Sequence, residues 1–383
     1  MTEKKNYTLR QLVLYFLRLG STGFGGPVAL VGYMHRDLVE ERQWISDSDY
    51  REGLTLAQLA PGPLAAQLGI YLGYVDHGIL GATFTGLAFV LPSFLMVVAL
   101  GFAYKLYGGL SWMQAVFYGV GASVIGIIAH SAYQLTTKTI GKDKLLWGIY
   151  LTVALVTIVT ETESVLLFLG AGILGWFVKA PPKFLKQSKI LPALSPLSLA
   201  FLIGDPAADS ETLWRIAGFF AKAGAMVFGS GLAIVPFLYG AVVNEYHWLN
   251  ARQFLDAVAV AMITPGPVVI TVGFIGFLVT GFTGAGLAAL ATFLPCYLFT
   301  VIPAPYFKKY GKRADIAAFV AGVTAAATGA ISGAVIVLGR KSISDVPTTL
   351  LALTTVGLLF MSRKIKEPVV VFVAAMIGVL IYP

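Results

Sequence analysis

Apolar residues run almost without interruption over positions 79–103, 145–160 and 165–178, and as helices these stretches span or nearly span a bilayer. Polar and charged residues collect between such runs, at 35–51, 138–144 and 179–189. The alternation predicts an all-α polytopic membrane protein. The first helix covers 9–23 and meets Gly-Phe-Gly-Gly-Pro at 23–27, where glycine frees the backbone and Pro27 suits the first turn of a new helix. The helix is expected to break and restart there. A second break falls at Pro61-Gly62-Pro63, because proline disfavours helix in the residue before it and fits the start of the helix after it. Ser46 with Asp49, and Asn250 with Gln253 in the second half, have the spacing of a capping box. A helix over 79–104 interrupted by Pro92, another over 111–136, and a pair flanking 161–164 complete the first half.

The plan then recurs. Shifted by 204 positions, residues 16–63 align without a gap on residues 220–267 and are identical at thirteen of forty-eight places. The shared places include Gly20 and Gly224, Phe24-Gly25 and Phe228-Gly229, Glu41 and Glu245, Trp44 and Trp248, and the two Pro-Gly-Pro tripeptides at 61–63 and 265–267. After one deletion the match resumes at an offset of 203, pairing Pro92 with Pro295 and Gly119 with Gly322. The chain therefore divides into a first transmembrane repeat (1–178), a Pro- and Lys-rich linker (179–210) and a second transmembrane repeat (211–383).

Loop charges bear on orientation. Loops 138–144 and 179–189 are lysine-rich and belong in the cytoplasm, which puts 105–111 outside. The repeat mate of that last turn, at 308–313, holds Lys308, Lys309, Lys312 and Arg313 and so belongs inside. Equivalent loops on opposite sides predict inverted-topology repeats, although Arg340-Lys341 falls on the outer side under this scheme.

Composition strengthens the membrane reading. Of 383 residues, 57% are hydrophobic and 12% charged, and the mean hydropathy is +0.80. Forty-two glycines suit helices that approach closely in lipid. The net charge of +8 is first of all a matter of topology, since cytoplasmic loops collect Lys and Arg; no basic stripe with interleaved aromatics supports nucleic-acid binding. Cys296 is the single cysteine and the four histidines lack metal-ligand spacing, so no cofactor and no metal is expected. No small-residue cleavage site follows the first helix, which is expected to be retained in a bacterial-type inner membrane as part of a multi-pass protein. A homodimer is the oligomeric expectation.

The helix breaks are where chemistry is expected. Half-helices starting at Pro27, Gly231, Pro63 and Pro267 leave backbone N–H groups without intrahelical partners, at the positive end of a helix dipole. In lipid those groups must face protein, water or ligand, and they attract anions. Arg18 and Lys222 occupy equivalent places within apolar helices, where a charge costs roughly 2.5–3.5 kcal/mol on insertion scales. Beside the helix ends they would build an anion cavity; the plainer alternative is that both snorkel to the headgroups. The candidate substrate-binding set is Arg18 and Lys222, with Phe24, Gly25, Gly26, Gly62 and Pro63 from one half and Gly229, Ser230, Gly266 and Pro267 from the other. Gln67 and Thr271, one turn beyond each proline break, could hydrogen-bond an oxyanion. Glu52 and Asp256 are the candidates for proton coupling, though carboxylates are favoured in early helical turns anyway. Glu41 and Glu245, each three residues before a tryptophan, suggest an interfacial lock.

In these residues the sequence resembles the chromate ion transporter family in its long, two-domain form. The resemblance rests on Gly23-Phe-Gly-Gly-Pro27, Glu41-x-x-Trp44, the Ala-Pro-Gly-Pro at 60–63, and their mates Phe228-Gly-Ser-Gly231 and Pro265-Gly-Pro267. It implies an efflux carrier for chromate, with sulfate as a matched competitor and two opposed halves. Ser230-Gly231 stands where the first half has Gly26-Pro27, and Met262 where it has Gln58, so one half is expected to contribute more to binding. The alternatives are a carrier or channel for sulfate or another tetrahedral oxyanion and, more remotely, a membrane-embedded reductase.

Overall fold

A computed structural model describes residues 7–24, 26–107, 110–160, 165–181, 208–227, 234–310, 314–343, 345–361 and 367–382. Gly25, Gly229, Ser230, Gly231, the 161–164 turn, residues 311–313 and most of the linker lie outside them. Every regular element among the described residues is helical.

Helix α1 (Leu9–Thr22) opens on a capping box in which Thr8 and Gln11 satisfy each other's backbone N–H groups. After the glycine cluster, α2 (Gly26–Met34) does not carry on across the membrane but turns back along α1. Leu30 touches Gly23, and the Tyr15 hydroxyl donates to Asp37 at 3.3 Å. The end of α2 widens into a π-helical turn, His35–Glu41. Helix α3 (Asp47–Leu59), capped by Ser46, and the first part of α4 (Leu64–Tyr107) form a second hairpin with Pro61-Gly62-Pro63 at its tip. Across it Tyr71 donates to Glu52 at 2.6 Å. The breaks are thus the tips of two re-entrant hairpins.

Helix α4 folds again at Gly78, whose φ of 58° and ψ of −148° suit glycine. A short arm (64–77) lies back to back with a long arm (79–107). Gly73 faces Gly81 so closely that a side chain on either would overlap the other's backbone, and Thr85 donates to the Gly69 carbonyl at 3.1 Å. The long arm continues through Pro92 without interruption, contrary to the sequence expectation. Proline removes one backbone donor, a loss that packed membrane helices tolerate because neighbouring groups take up the freed carbonyl.

The second half repeats these elements as α8 (Ala208–Met226), α9 (Ile234–Tyr239) with its π-helical turn Gly240–Glu245, α10 (Ala251–Ile263) and α11 (Thr271–Val301). Helix α11 folds at Gly281, bringing Gly276 against Gly284, and the short α12 (Ala304–Tyr310) follows it.

The outer helices are exchanged between halves. Helix α5 (Ser111–Thr139) packs on α14 (Val346–Met361) and α15 (Glu367–Ile381), whereas α13 (Ala314–Ser342) packs on α6 (Lys144–Thr160) and α7 (Val165–Lys179). Glycines make the contacts: Gly119 of α5 meets Ala374 and Gly378, and Gly322 of α13 meets Ala171 and Gly172. Helix α14 runs alongside α5 in the same direction, from Tyr118 on Asp345 (2.5 Å) to Tyr133 against Phe360. Helix α6 runs alongside α13 likewise, from Tyr150 at Gly329 to Ala154 and Thr157 at Gly333. Because only four residues separate the end of α5 from the start of α6 and Ile125 of α5 faces Gly339, the homologous helices α5 and α13 are antiparallel to each other.

Among the described residues four stretches are long and apolar enough to cross a membrane, Leu64–Tyr107, Ser111–Thr137, Val268–Phe307 and Ala314–Arg340, with four shorter apolar helices beside them. Leu80, Leu87 and Leu95, each more than half exposed on the long arm of α4, belong to the surface that lipid covers.

Candidate functional site

The hairpin tips of each half meet the first hairpin of the other half at the centre of the molecule. The Gly62 N–H donates to the Val227 carbonyl at 2.6 Å, and the Gly266 N–H donates to the Gly23 carbonyl at 2.9 Å. Donors and acceptors are related by the same shift of 204 positions, so the pair is one contact made twice about a local pseudo-twofold. Gly62 and Gly266 both belong to the candidate substrate-binding set. In this conformation a carbonyl of the opposite half satisfies the N–H of each, as burial away from water demands.

Side chains hold the two tips differently. Ser93 on α4 donates to the Pro265 carbonyl at 2.7 Å and lies 3.3 Å from that of Gly20, so the second-half tip is tied to the first half. Its mate is Cys296, which lies beside Gly62. The equivalent carbonyl, Pro61, is instead bonded by Gln67 of its own half at 2.8 Å. Gln67 is fully buried and its Oε1 has no hydrogen-bond partner. Thr271 donates to the Ala257 carbonyl at 2.9 Å. Gln67 therefore commits a donor to the first-half tip and Thr271 commits its hydroxyl to the body of α10, while the free Gln67 oxygen is an acceptor, the wrong polarity for an anion.

Arg18 and Lys222 line recesses flanking this seam. A cavity of about 420 Å³ is bounded by Arg18, Thr22 and Gly23 of α1 and by Arg36, Asp37, Glu41 and Arg42 of the π-helical segment. Its counterpart, about 180 Å³, is bounded by Lys222 and Phe219 of α8 and by Gly240, Ala241, Glu245 and Tyr246. Seven lining positions of the first cavity, Tyr15, Arg18, Tyr33, Arg36, Asp37, Glu41 and Arg42, recur in the second at a shift of 204, whereas Thr22 and Gly23 line the first alone. A π-turn, often found at functional sites, walls both cavities. Glu41 and Glu245, expected as interfacial locks, stand in these walls. Trp44, three residues after Glu41, stacks on Tyr7 with centroids 5.1 Å apart.

The acids are equivalent in sequence but not in setting. Asp256 is 3% exposed on a helix buried along 254–262, and it accepts from Tyr104 of the other half at 2.7 Å. Glu52 is half-buried and bonded within its own half by Tyr71. Helix α10 packs against α5, whereas α3 buries only Tyr50, Gly53, Leu56 and Ala57. Gln58 is exposed while Met262 is buried. The first-half hairpin is therefore the less firmly held of the two.

Of the remaining candidates, Gly26 starts α2, Phe24 is half-buried at the first tip, and Pro63 and Pro267 flank the central exchange. Sequence reasoning passed over Arg36, Arg42, Ser93 and Tyr104. The offset of Cys296 from Ser93 could have signalled the serine; nothing periodic marks the arginines.

Comparison with known proteins fits this arrangement. A family model described as chromate transporter matches twice, over residues 10–176 and 214–379, one match in each half. A chromate transport protein of Cupriavidus metallidurans is 69% identical, covering 98% of this chain and 94% of its own length. A probable chromate transport protein of Synechococcus elongatus is 64% identical over 98% of this chain and 96% of its own length. The uncharacterized transporter YwrA of Bacillus subtilis is 26% identical over 43% of this chain, which takes in 94% of that protein, so one half corresponds to a whole polypeptide elsewhere. No solved structure matches the chain.

Proposed function

The chain belongs to the chromate transporter family, a family of transport proteins rather than enzymes, and from that premise we propose that it is a secondary carrier exporting chromate across the cytoplasmic membrane by alternating access. The observation that carries this reading is the pair of equivalent cavities of unequal volume on either side of one seam. A carrier built from two opposed repeats, 1–178 and 211–383 joined through 179–210, has this form when open to one side. The antiparallel relation of α5 and α13 supports inverted repeats.

Lysine-rich loops put the start of the long arm of α4 on the cytoplasmic side. Tyr7, Trp44 and Asp76 gather there, beside the first-half cavity. The larger first-half cavity then faces the cytoplasm and its smaller mate the exterior, the sides of loading and release for an exporter. Arg18 and Lys222 meet the anion in turn, and the dipole ends of the half-helices, with the tips at Phe24, Gly25, Gly26, Gly62 and Pro63 and at Gly229, Ser230, Gly266 and Pro267, complete its path through the seam.

The test is uptake of radiolabelled chromate into inverted membrane vesicles, with and without a proton gradient and with excess sulfate as competitor. Saturable uptake above empty vesicles, with counterflow, is expected. Uptake that never saturates would mean a channel, and no uptake would mean another cargo.

Asp256 is the stronger coupling candidate because it is the more buried acid and lies across the two halves. Asp256→Asn is expected to abolish gradient-driven accumulation while leaving counterflow of chromate intact, with Glu52→Gln milder. Unchanged gradient-driven accumulation in Asp256→Asn would remove it from the coupling step.

A further inference from the structure

The two cavities differ most in charge. The first holds the guanidinia of Arg18, Arg36 and Arg42 against the carboxylates of Asp37 and Glu41; the second holds Lys222 against Glu245. Where the first half has Arg36 and Arg42, the second has Gly240 and Tyr246. We infer that Arg36 and Arg42 join Arg18 in a loading site for a divalent tetrahedral oxyanion, and that the second-half cavity, lacking both, is the side of release. The inference rests on the transport reading above and adds to it the residues that take up the anion and the reason the two faces are not interchangeable.

The three arginines are held in different ways that suit one task. Arg18 pairs with no carboxylate among the described residues, so its charge is available to whatever enters. Arg42 lies over the rings of Trp44, at 4.7 Å, and Tyr15, at 5.5 Å. Stacking fixes the plane of a guanidinium while leaving its in-plane N–H donors for an acceptor. Arg36 is held by Asp37 at 2.8 Å and Glu41 at 3.5 Å, so its fork is kept oriented until an anion competes for it. Planar forks match the edges of an oxyanion in pairs, as an ammonium does not. A cavity of about 420 Å³ is of the size of small-molecule sites and has room for a hydrated oxyanion.

The cavity also leads somewhere. Its inner wall is Thr22 and Gly23, and the Gly23 carbonyl is the one that accepts from Gly266 of the opposite tip. An anion drawn between the arginines therefore stands at the seam between the halves. In the second cavity the anion meets one ammonium, with Phe237 and Tyr246 in place of Tyr33 and Arg42, and is held less firmly. Strong capture on one face loads the carrier at low cytoplasmic concentration and weak retention on the other eases release, while the driving gradient sets the direction of net movement. Arginines placed there only to satisfy cytoplasmic charge bias would need neither the aromatic platform nor the carboxylate holders.

The experiment measures initial chromate uptake into inverted vesicles for Arg36→Gln, Arg42→Gln, the two lysine variants at the same positions, and Arg51→Gln as a charge control outside the cavity. The glutamine variants are expected to raise KM by about tenfold with kcat within about twofold, and lysine to recover part of the loss because it restores charge without the fork. Arg51→Gln should match the wild type. In parallel, unmutated protein is labelled with phenylglyoxal with and without chromate, and chromate should protect Arg36 and Arg42 but not Arg51. Glutamine variants with wild-type KM overturn the inference, as does absence of protection should the variants fail to insert. Absence of transport by the wild type would instead sink the carrier reading itself.

Discussion

Gly266→Ala is expected to abolish transport, and Gly62→Ala to impair it less. Gly266 has φ of +94°, a conformation L side chains rarely adopt, and a Cβ there would overlap Ser93 Oγ. That hydroxyl lies between the Pro265 and Gly20 carbonyls and cannot move without releasing the former bond. The substitution therefore adds backbone strain of about 1–3 kcal/mol to the loss of a cross-half contact. Gly62 has φ of +146°, but its Cβ would meet the end of the Gln67 side chain at 2.6 Å and Cys296 Sγ at 3.1 Å, groups with more freedom to shift. Chromate uptake normalised to inserted protein, with the melting temperature in detergent, measures both. We expect a loss of more than about tenfold for Gly266→Ala, on the strain just given. Wild-type rates in Gly266→Ala would show that transport does not depend on the close fit of the tips.

The second large effect is expected at the symmetric bases. Arg18→Gln should raise the half-saturating chromate concentration by roughly ten- to a hundredfold, the size of one lost charge-assisted contact of about 1.5–3 kcal/mol. Lys222→Gln should weaken transport too, mainly where the anion is presented from the second-half face, since Lys222 is the basic group bounding that cavity. Both side chains are exposed to their cavities, so neither substitution opens a hole in the core and insertion should be normal. Unchanged affinity in both would mean that these residues reach the headgroups and do not touch the anion.

The duplication and the breaks before Gly26 and at Pro61-Gly62-Pro63 were legible because glycine and proline impose backbone geometry directly, and identity at Gly20, Gly62 and Pro63 with their mates marks a shared geometry; Pro92, inside a packed helix, misled the same reasoning. The return of each half-helix was not legible, since an apolar segment after a break looks alike whether it crosses or turns back. The central exchange was hidden because its acceptors are backbone carbonyls, which leave Gly23 free to correspond to Val227. Arg36 and Arg42 were hidden by the very comparison that exposed Arg18. They have no basic mates at 240 and 246, so a search for symmetric residues passes over them. The feature that separates the two faces is by nature the one that repeat symmetry cannot show.

Exchange of the outer helices also constrains the order in which the molecule can be completed. Helix α5 leaves the ribosome well before the surfaces it rests on, α14 and α15, have been made. Until then Gly119 and Gly126 face lipid rather than the close backbone contacts they are shaped for. The amino-terminal half thus waits in the bilayer, inserted but unassembled, while roughly two hundred further residues are synthesised over tens of seconds.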